Sequence, residues 1–270
     1  MGFPVSMAAA EGWNPGLADD GPFWAADPRG WWCGELDGEP ASCISTVAYE
    51  GAHGPDFGFV GFYIVRPDLR GRGLGRRTWD AAMPYLDGCL VGLDGVIEQV
   101  PAYERSGFAP AYVSRRNRCV GGGAIPPGLT PLAGVPFDEV AALDASCFPA
   151  GREAFLRAWL DMPGVAGLAR VRGGVLEGFG VLRHCREGFK IGPLLALDPA
   201  TAELLLDGLL AVATTGASVF LDTPGRNAAA LDLVAARGMD TVFETMRMYR
   251  GPEPALPLER LFGVCTFELG

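Results

Sequence analysis

One stretch limits what this chain can fold into more than any other: VRPDLRGRGLGRRT, Val65 to Thr78. The apolar run FVGFYIV, Phe59 to Val65, leads into it and reads as a buried strand. After it, Trp79, Ala82, Met83 and Leu86 recur at helical spacing, which predicts a helix over Thr78–Leu86 that Pro84 ends or kinks early. Gly71, Gly73 and Gly75 let backbone approach a ligand closely, and their N–H groups sit where a helix N-terminus favours negative charge. Arg70, Arg72, Arg76 and Arg77 add positive charge in an otherwise acidic chain. Strand, glycine-arginine turn and helix together describe a cradle for a pyrophosphate.

Two common cradles are excluded by spacing. A P-loop requires GxxxxGK[ST], and a dinucleotide fingerprint requires GxGxxG; neither fits Gly71-x-Gly73-x-Gly75. The pattern that fits is [QR]-x-x-G-x-[GA], as Arg70-Gly71-Arg72-Gly73-Leu74-Gly75. Here the chain resembles the GNAT superfamily of acyl-CoA N-acyltransferases. The resemblance implies that residues Arg70 to Arg76 bind acetyl-CoA through backbone N–H groups. It also implies that Tyr63, Ile64 and Val65, at the end of the preceding strand, offer backbone groups to the pantetheine arm and the thioester oxygen. The alternative is a glycine-rich turn with solvated arginines.

Bulk composition narrows the function class. The chain has 270 residues, about half of them hydrophobic, enough for one large or two ordinary domains. A formal charge of −10 argues against nucleic acid as a partner. The apolar runs are too short to span a bilayer and the N-terminus lacks a signal pattern, so no membrane partner is expected. Seven scattered cysteines without a CxxC suit reduced thiols in a cytoplasm, and with only His53 and His184 no metal site is expected. Lys190 is the only lysine.

The chain divides in two. VGGGAIPPGLTP, Val120 to Pro131, is dense in breakers and reads as a linker, giving domains 1–120 and 132–270 joined by 121–131. The halves share a pattern. GLDGVIEQ from Gly92 precedes a helix, then Gly107-Phe108, then a strand over Ala111–Cys119; FLDTPGRN from Phe220 precedes a helix, then Gly238-Met239, then a strand over Thr241–Tyr249. The expected fold is α/β (α+β): two tandem GNAT-like domains, each a mixed, mostly antiparallel sheet flanked by helices. At the turn equivalent to the cradle, the second half carries Asp198-Pro-Ala-Thr, a good helix start that supplies neither glycines nor arginines. That half reads as a GNAT fold without a CoA site. EGWNPGLAD from Glu11, GFKIGP from Gly188, TMRMY from Thr245 and FGVCTFELG from Phe262 resemble a bacterial group of tandem GNAT proteins.

Acyl transfer to an amine needs a proton acceptor and a proton donor. Tyr103 lies four residues before Gly107, where many GNAT enzymes carry the tyrosine that protonates the leaving thiolate; the resemblance implies that role, against a plain core tyrosine. For the base the choice stays open among Glu98, Asp94 and Glu50. The glutamate that some family members place before the cradle corresponds to Phe59 here. Trp13, Trp24, Glu11, Asp19 and Asp20 either box an ammonium or serve a turn and the core. The implied function is acetyl-CoA-dependent N-acetylation of a small-molecule amine; a CoA-binding sensor without turnover is the alternative. A homodimer is left open. The final run, Leu261–Leu269, reads as a strand that fills the sheet edge of the first half or closes the sheet of the second, with Phe262, Val264 and Phe267 buried.

Overall fold

The computed structural model describes residues 2–49 and 56–270. Glu50, one of the three candidate bases, lies outside them, as does His53. The described chain opens with helix α1 (Gly2–Ala10) and helix α2 (Asp20–Ala26). A hairpin of β1 (Trp31–Leu36) and β2 (Glu39–Tyr49) follows. Its two-residue turn, Asp37-Gly38, has both φ angles positive, the twist that matches a right-handed strand pair. Then come β3 (Phe57–Val65), α3 (Leu74–Ala82), β4 (Leu90–Val96), α4 (Val100–Arg105) and β5 (Ala109–Val120). α3 starts at Leu74, earlier than the sequence spacing predicts, and a 3₁₀ turn over Met83–Leu86 takes over where Pro84 approaches.

The second half runs through a short β6 (Thr130–Pro131), α5 (Phe137–Ser146), α6 (Glu153–Leu160), β7 (Ala166–Arg172) and β8 (Val175–His184). β9 (Phe189–Ala196), α7 (Pro199–Val212), β10 (Ser218–Pro224), α8 (Ala228–Ala236), β11 (Asp240–Arg250) and β12 (Leu261–Gly263) complete it. The breaker-rich segment between the halves is pinned: Gly121 N–H donates to the Ala217 carbonyl and Gly122 N–H to the Leu210 carbonyl.

Among the described residues all twelve strands form one mixed, mostly antiparallel sheet in the order β1-β2-β3-β4-β11-β5-β10-β9-β8-β7-β6, with β12 attached to β9. The halves therefore exchange strands. β11 enters the first half between β4 and β5, pairing Arg247 with Asp94 on one side and Tyr112 on the other. Reciprocally, β5 lies between β10 and β11. This decides between the two expectations for the tail in favour of the second half and shortens its strand. Only Leu261–Gly263 is strand, and it pairs with Leu194 and Leu195 of β9, so it belongs to the second half; the edge of the first half is filled by β11. Phe262, Val264 and Phe267 are buried, at 0%, 3% and 6% exposure, because the rest of the tail crosses the core after leaving the sheet.

Two ion pairs lock the exchange. Asp94 accepts two hydrogen bonds from Arg247, at 2.8 and 2.6 Å, and Asp222 accepts two from Arg116, at 2.8 and 2.7 Å. Each aspartate ends a Leu-Asp dipeptide in one half, and each arginine stands nine residues beyond the glycine that follows the last helix of the other half, Gly238 or Gly107. Burial pushes the Asp222 carboxyl up, but the charge and hydrogen bonds of Arg116 outweigh it and hold the group below the usual carboxylate range. A shared core adds to the lock: Phe23 of α2 stacks on Trp159 of α6 at 6.2 Å and meets Phe62 of β3 edge-on at 5.5 Å.

Asp222→Asn removes the charge that compensates a buried guanidinium. The expected loss is about 3–5 kcal/mol in urea unfolding, partly recovered by adding Arg116→Met. Asp80→Ala, which breaks the exposed Arg76–Asp80 pair on α3, leaves the urea midpoint unchanged.

Candidate active site

The site grows out of a failure of two strands to stay paired. β3 and β4 run parallel only from Phe57 with Leu90 to Val60 with Leu93; beyond that they separate. A bulge causes the divergence. Cys43 and Ser45 of β2 oppose Ile64 and Gly61 of β3, so Phe62 and Tyr63 together face the one residue between. Phe62 takes φ = 48°, uncommon for a side chain of its size, and its ring is buried against Phe23 and Trp31. A cavity of about 480 Å³ opens in the splay.

At one end of the splay lies the glycine-arginine loop. Gly71 and Gly73 adopt φ of 75° and 76°, and Gly73 is the N-cap of α3. Gly75 is needed for a different reason: a Cβ there would lie 2.8 Å from the Tyr63 hydroxyl and 3.1 Å from Val65, so its absence lets α3 sit close on β3. The arginines divide their work. Arg70 folds inward, donating to the Val65 carbonyl at 3.1 Å and to Glu11. Arg76 pairs with Asp80, and the exposed Arg72 and Arg77 make no salt bridge among the described residues. Tyr63, Ile64, Val65 and Arg70 line the cavity, while Gly71, Arg72, Gly73, Leu74, Gly75 and Arg76 form the loop and helix start beyond it.

Tyr103 forms part of the cavity wall opposite β3. Its ring covers Gly95 so closely that a Cβ there would lie 2.5 Å from it, and it packs against Trp79 and Phe108. Desolvation pushes the phenol upward, with a smaller push from Tyr63, so it keeps its proton at neutral pH. The second half has Val234 at the equivalent place, four residues before Gly238.

The open candidates sort themselves by partner. Asp94 lines the cavity but spends both oxygens on Arg247, and Glu98 is exposed at the rim. Of the five residues proposed to box an ammonium, only Glu11 and Trp13 reach the cavity. Asp19 is buried and bound to Arg183 at 2.9 Å and to the Gly16 N–H; Asp20 begins α2 and is exposed; Trp24 is 48% exposed. The loop bearing Trp13 is held from below. Its carbonyl accepts from Arg116 at 2.7 Å and from Lys190 at 3.1 Å, and Asn14 exchanges two hydrogen bonds with the backbone of Glu187.

The wall residues not anticipated from the sequence include Arg116 of β5, Phe243 and Thr245 of β11, and Phe267 and Glu268 of the tail. Arg116, Phe243 and Thr245 reach the cavity on the exchanged strands, and Phe267 and Glu268 on the tail that follows β12, arrangements with no local signature. The available signals were TMRMY, which holds Thr245, and FGVCTFELG, which holds Phe267 and Glu268, the latter read as a strand and not as part of a cavity wall.

The corresponding gap in the second half is closed. β9 and β10 pair only from Phe189 with Val219 to Ile191 with Leu221, then separate. β12 occupies the space, with Val264 N–H donating to the Asp222 carbonyl. A Cβ on Gly192 would lie 2.5 Å from the carbonyls of Val264 and Cys265, which shows how tightly the tail is fitted. At the next turn Asp198 caps α7 itself, accepting from Thr201 N–H and hydroxyl at 2.9 Å each.

Comparison with known proteins bears on this geometry. The family profile described as Acetyltransferase (GNAT) family matches residues 5–108, and that described as Acetyltransferase (GNAT) domain matches residues 140–263. Holothin acyltransferase from Pseudoalteromonas sp. (strain SANK 73390) is 30% identical over 265 residues, covering 97% of this chain and 89% of the relative. The chain belongs to the GNAT acetyltransferase family. It is a tandem GNAT protein, and an acyltransferase by family. Among solved structures, a putative acetyltransferase from Pyrococcus horikoshii shares the fold with a TM-score of 0.81 at 21% identity, over 94% of this chain and 84% of that one. A tandem GNAT protein from the clavulanic acid biosynthesis pathway does so with a TM-score of 0.61 at 16% identity, over 93% and 95%. Among the described residues of this GNAT protein, no helix is long and apolar enough to cross a membrane, and no three His, Cys, Asp or Glu side chains are grouped to hold a metal.

Lys190, which supports the site by bonding to the Trp13 carbonyl, has a measurable pH signature. Burial, helped by the charge of Arg116, pushes its ammonium down to about 8 against the pull of Glu268 and Asp222. Between about 8 and its ordinary 10.5 the unfolded chain holds this proton and the folded chain does not, so Lys190 makes stability rise with pH there. Lys190→Met lacks that contribution. The stability of the variant relative to wild type should therefore fall from pH 8 to pH 10 in paired urea titrations; a constant difference would show that Lys190 stays charged in the fold.

Proposed function

We propose that this GNAT protein transfers the acetyl group of acetyl-CoA to a primary amine of a small molecule, with one donor site, in the first half. The observation that carries the reading is the open splay of β3 from β4, which runs directly into the Gly71–Gly75 loop and has Tyr103 in its wall. The second half has the same splay but fills it with β12, and caps the matching helix with Asp198. On this reading residues 1–120 form the acetyl-CoA domain and residues 132–270 a degenerate GNAT domain, joined by 121–131.

When bound, acetyl-CoA supplies an activated thioester. The chain supplies the rest. Backbone N–H groups of the Arg70–Arg76 loop, at the positive end of α3, meet the pyrophosphate. Tyr63, Ile64 and Val65, beyond the last pairing with β4, turn the edge of β3 toward the pantetheine arm. Tyr103 holds a proton at the cavity wall for the departing sulfur. Apolar walls from Trp13, Phe243 and Phe267 exclude water, and a cavity of about 480 Å³ suits a small acceptor rather than a folded protein. The relative named holothin acyltransferase supports acyl transfer, since the likeness runs nearly the whole length of both chains.

Calorimetry with CoA should give one site per chain, and Gly73→Asp should abolish it by setting a carboxylate at the helix N-terminus. No atom lies within 4 Å of a Cβ at Gly73, so the variant adds charge without crowding, and Gly73→Asn, which carries the same positive-φ strain, is the uncharged control that should bind more tightly than Gly73→Asp. Two equivalent sites, or unaltered binding in the variant, would refute the assignment.

Tyr103→Phe removes one proton and leaves the ring on Gly95. Turnover should fall about a hundredfold or more while acetyl-CoA affinity is retained. Unchanged turnover under chemistry-limited conditions would return Tyr103 to a packing role.

A further inference from the structure

We infer that Glu268, delivered by the tail of the second half into the splay of the first, is the base that takes the proton of the attacking amine; the inference rests on the acyl-transfer reading above. Four carboxylates line the cavity among the described residues: Glu11, Asp94, Glu98 and Glu268. Glu11 is tied to Arg70 and Asp94 to Arg247. Glu98 is exposed at the rim. Glu268 is 4% exposed, and among the described residues it makes no salt bridge and its carboxylate accepts one side-chain hydrogen bond, from the Thr266 hydroxyl. A buried carboxylate so lightly bonded retains lone pairs for a ligand.

Its position matches the chemistry. The Glu268 main chain lies on Gly61 of β3, the residue after the last paired residue Val60, so closely that a Cβ at Gly61 would fall 1.9 Å from the Glu268 carbonyl oxygen. Across the splay, Tyr103 lies on Gly95 of β4 in the same manner, a Cβ there falling 2.5 Å from the ring. Each diverging strand thus carries a glycine that makes room for one proton-transfer residue, on opposite walls. The Thr245 hydroxyl lines the same cavity, is buried and has no hydrogen-bond partner among the described residues, which leaves it for an acceptor's polar group. The charges that face Glu268 are Arg116 from β5, Arg183 from β8, Lys190 from β9 and Asp94 from β4. Arg116 and Lys190 already donate to the Trp13 carbonyl, and Arg183 to Asp19.

The step balances as follows. The amine nitrogen gives one proton to Glu268 and its lone pair forms the N–C bond to the acyl carbon. The C–S bond breaks with its electron pair on sulfur, which takes the Tyr103 proton. Solvent returns a proton to Tyr103 and removes one from Glu268. The products are an amide and a free thiol.

The test measures thiol release from acetyl-CoA across a panel of small primary amines, at pH 6 to 10, together with acetyl-CoA binding by calorimetry. Glu268→Gln should bind acetyl-CoA as wild type does and lose about a hundredfold or more in kcat at pH 7. The gap should narrow as pH rises toward the pKa of the amine itself. Glu268→Asp should restore part of the rate, and it serves as the comparison if the Gln variant fails to fold: a shortened carboxylate should lower kcat more than it raises KM. Wild-type turnover matched within twofold by Glu268→Gln at pH 7, or by Glu268→Asp where only that folds, would overturn the role of Glu268 and leave the acyltransferase reading intact. Acetyl-CoA binding without thiol release for any amine would overturn both.

Discussion

Two crossed carboxylate–guanidinium pairs govern this molecule. Asp94 of the first half meets Arg247 of the second, and Asp222 of the second meets Arg116 of the first, all four side chains almost wholly buried. A buried ion left without its partner costs several kcal/mol, far more than the pair gains over an apolar substitute. Neither half can therefore bury its own Leu-Asp dipeptide in isolation, because the neutralising arginine arrives on a strand from the other half. The exchange of β5 and β11 and the two pairs require each other: the strands bring the arginines, and the arginines fix which strands may lie there. Register follows as well. A slip of one residue along β11 would turn Arg247 to the opposite face of the sheet and leave Asp94 uncompensated.

The duplicated fold presents two equivalent gaps, and the chain treats them differently. Both halves contain a short parallel pair that parts after three or four residues, β3 from β4 and β9 from β10. In the second half the gap exposes β9 main chain that β12 then pairs with, so the polar groups are satisfied within the chain and no room is left. In the first half no strand enters the gap among the described residues, and it stays open. The tail that fills one gap continues to the other. After Val264 bonds to Asp222 it passes under the core and ends with Glu268 on Gly61, while Leu269 and Gly270 carbonyls accept from Tyr49 and Arg152. A half without a glycine-arginine loop thus still shapes the cavity of its neighbour, by supplying two strand residues and two tail residues to its wall.

Local features of the fold were legible in the sequence; the connection between halves was not. The FVGFYIV strand, the positive-φ glycines of the loop and the helix after it follow from alternation, β-branching and spacing, all of which act within a few residues. The repeated Leu-Asp was visible as a repeat, but its meaning was not, since its partner lies about 106 to 153 residues away along the chain. The same limit explains the tail. Leu261–Leu269 has the composition of a strand, yet pairing stops at Gly263 because the gap beside β9 ends there and the following residues turn into the core. Among the acids and aromatics of the Glu11–Trp24 segment, composition alone treats Asp19 and Glu11 alike. The structure separates them by what stands opposite: Arg183 of β8 claims Asp19, and Arg70 of the loop meets Glu11 at the cavity.

Charge in the cavity floor is arranged so that cations build the wall and leave the acid free. Arg116 spends Nε and one terminal nitrogen on Asp222 and the other on the Trp13 carbonyl; Lys190 bonds to that same carbonyl. A carbonyl that accepts from two cationic donors is held in a narrow range of positions, and with it the indole of Trp13 at the cavity edge. Had either cation bonded directly to Glu268, that carboxylate would be committed to the scaffold, as Asp94 and Asp222 are. Instead it has Thr266, whose hydroxyl orients it without neutralising it. The nearby positive charges act at longer range through a low-dielectric interior, where they lower the cost of a buried negative charge without occupying its lone pairs. Among the buried carboxylates of the cavity wall, Glu268 is the one that no cation holds among the described residues, and it belongs to the half that carries no glycine-arginine loop.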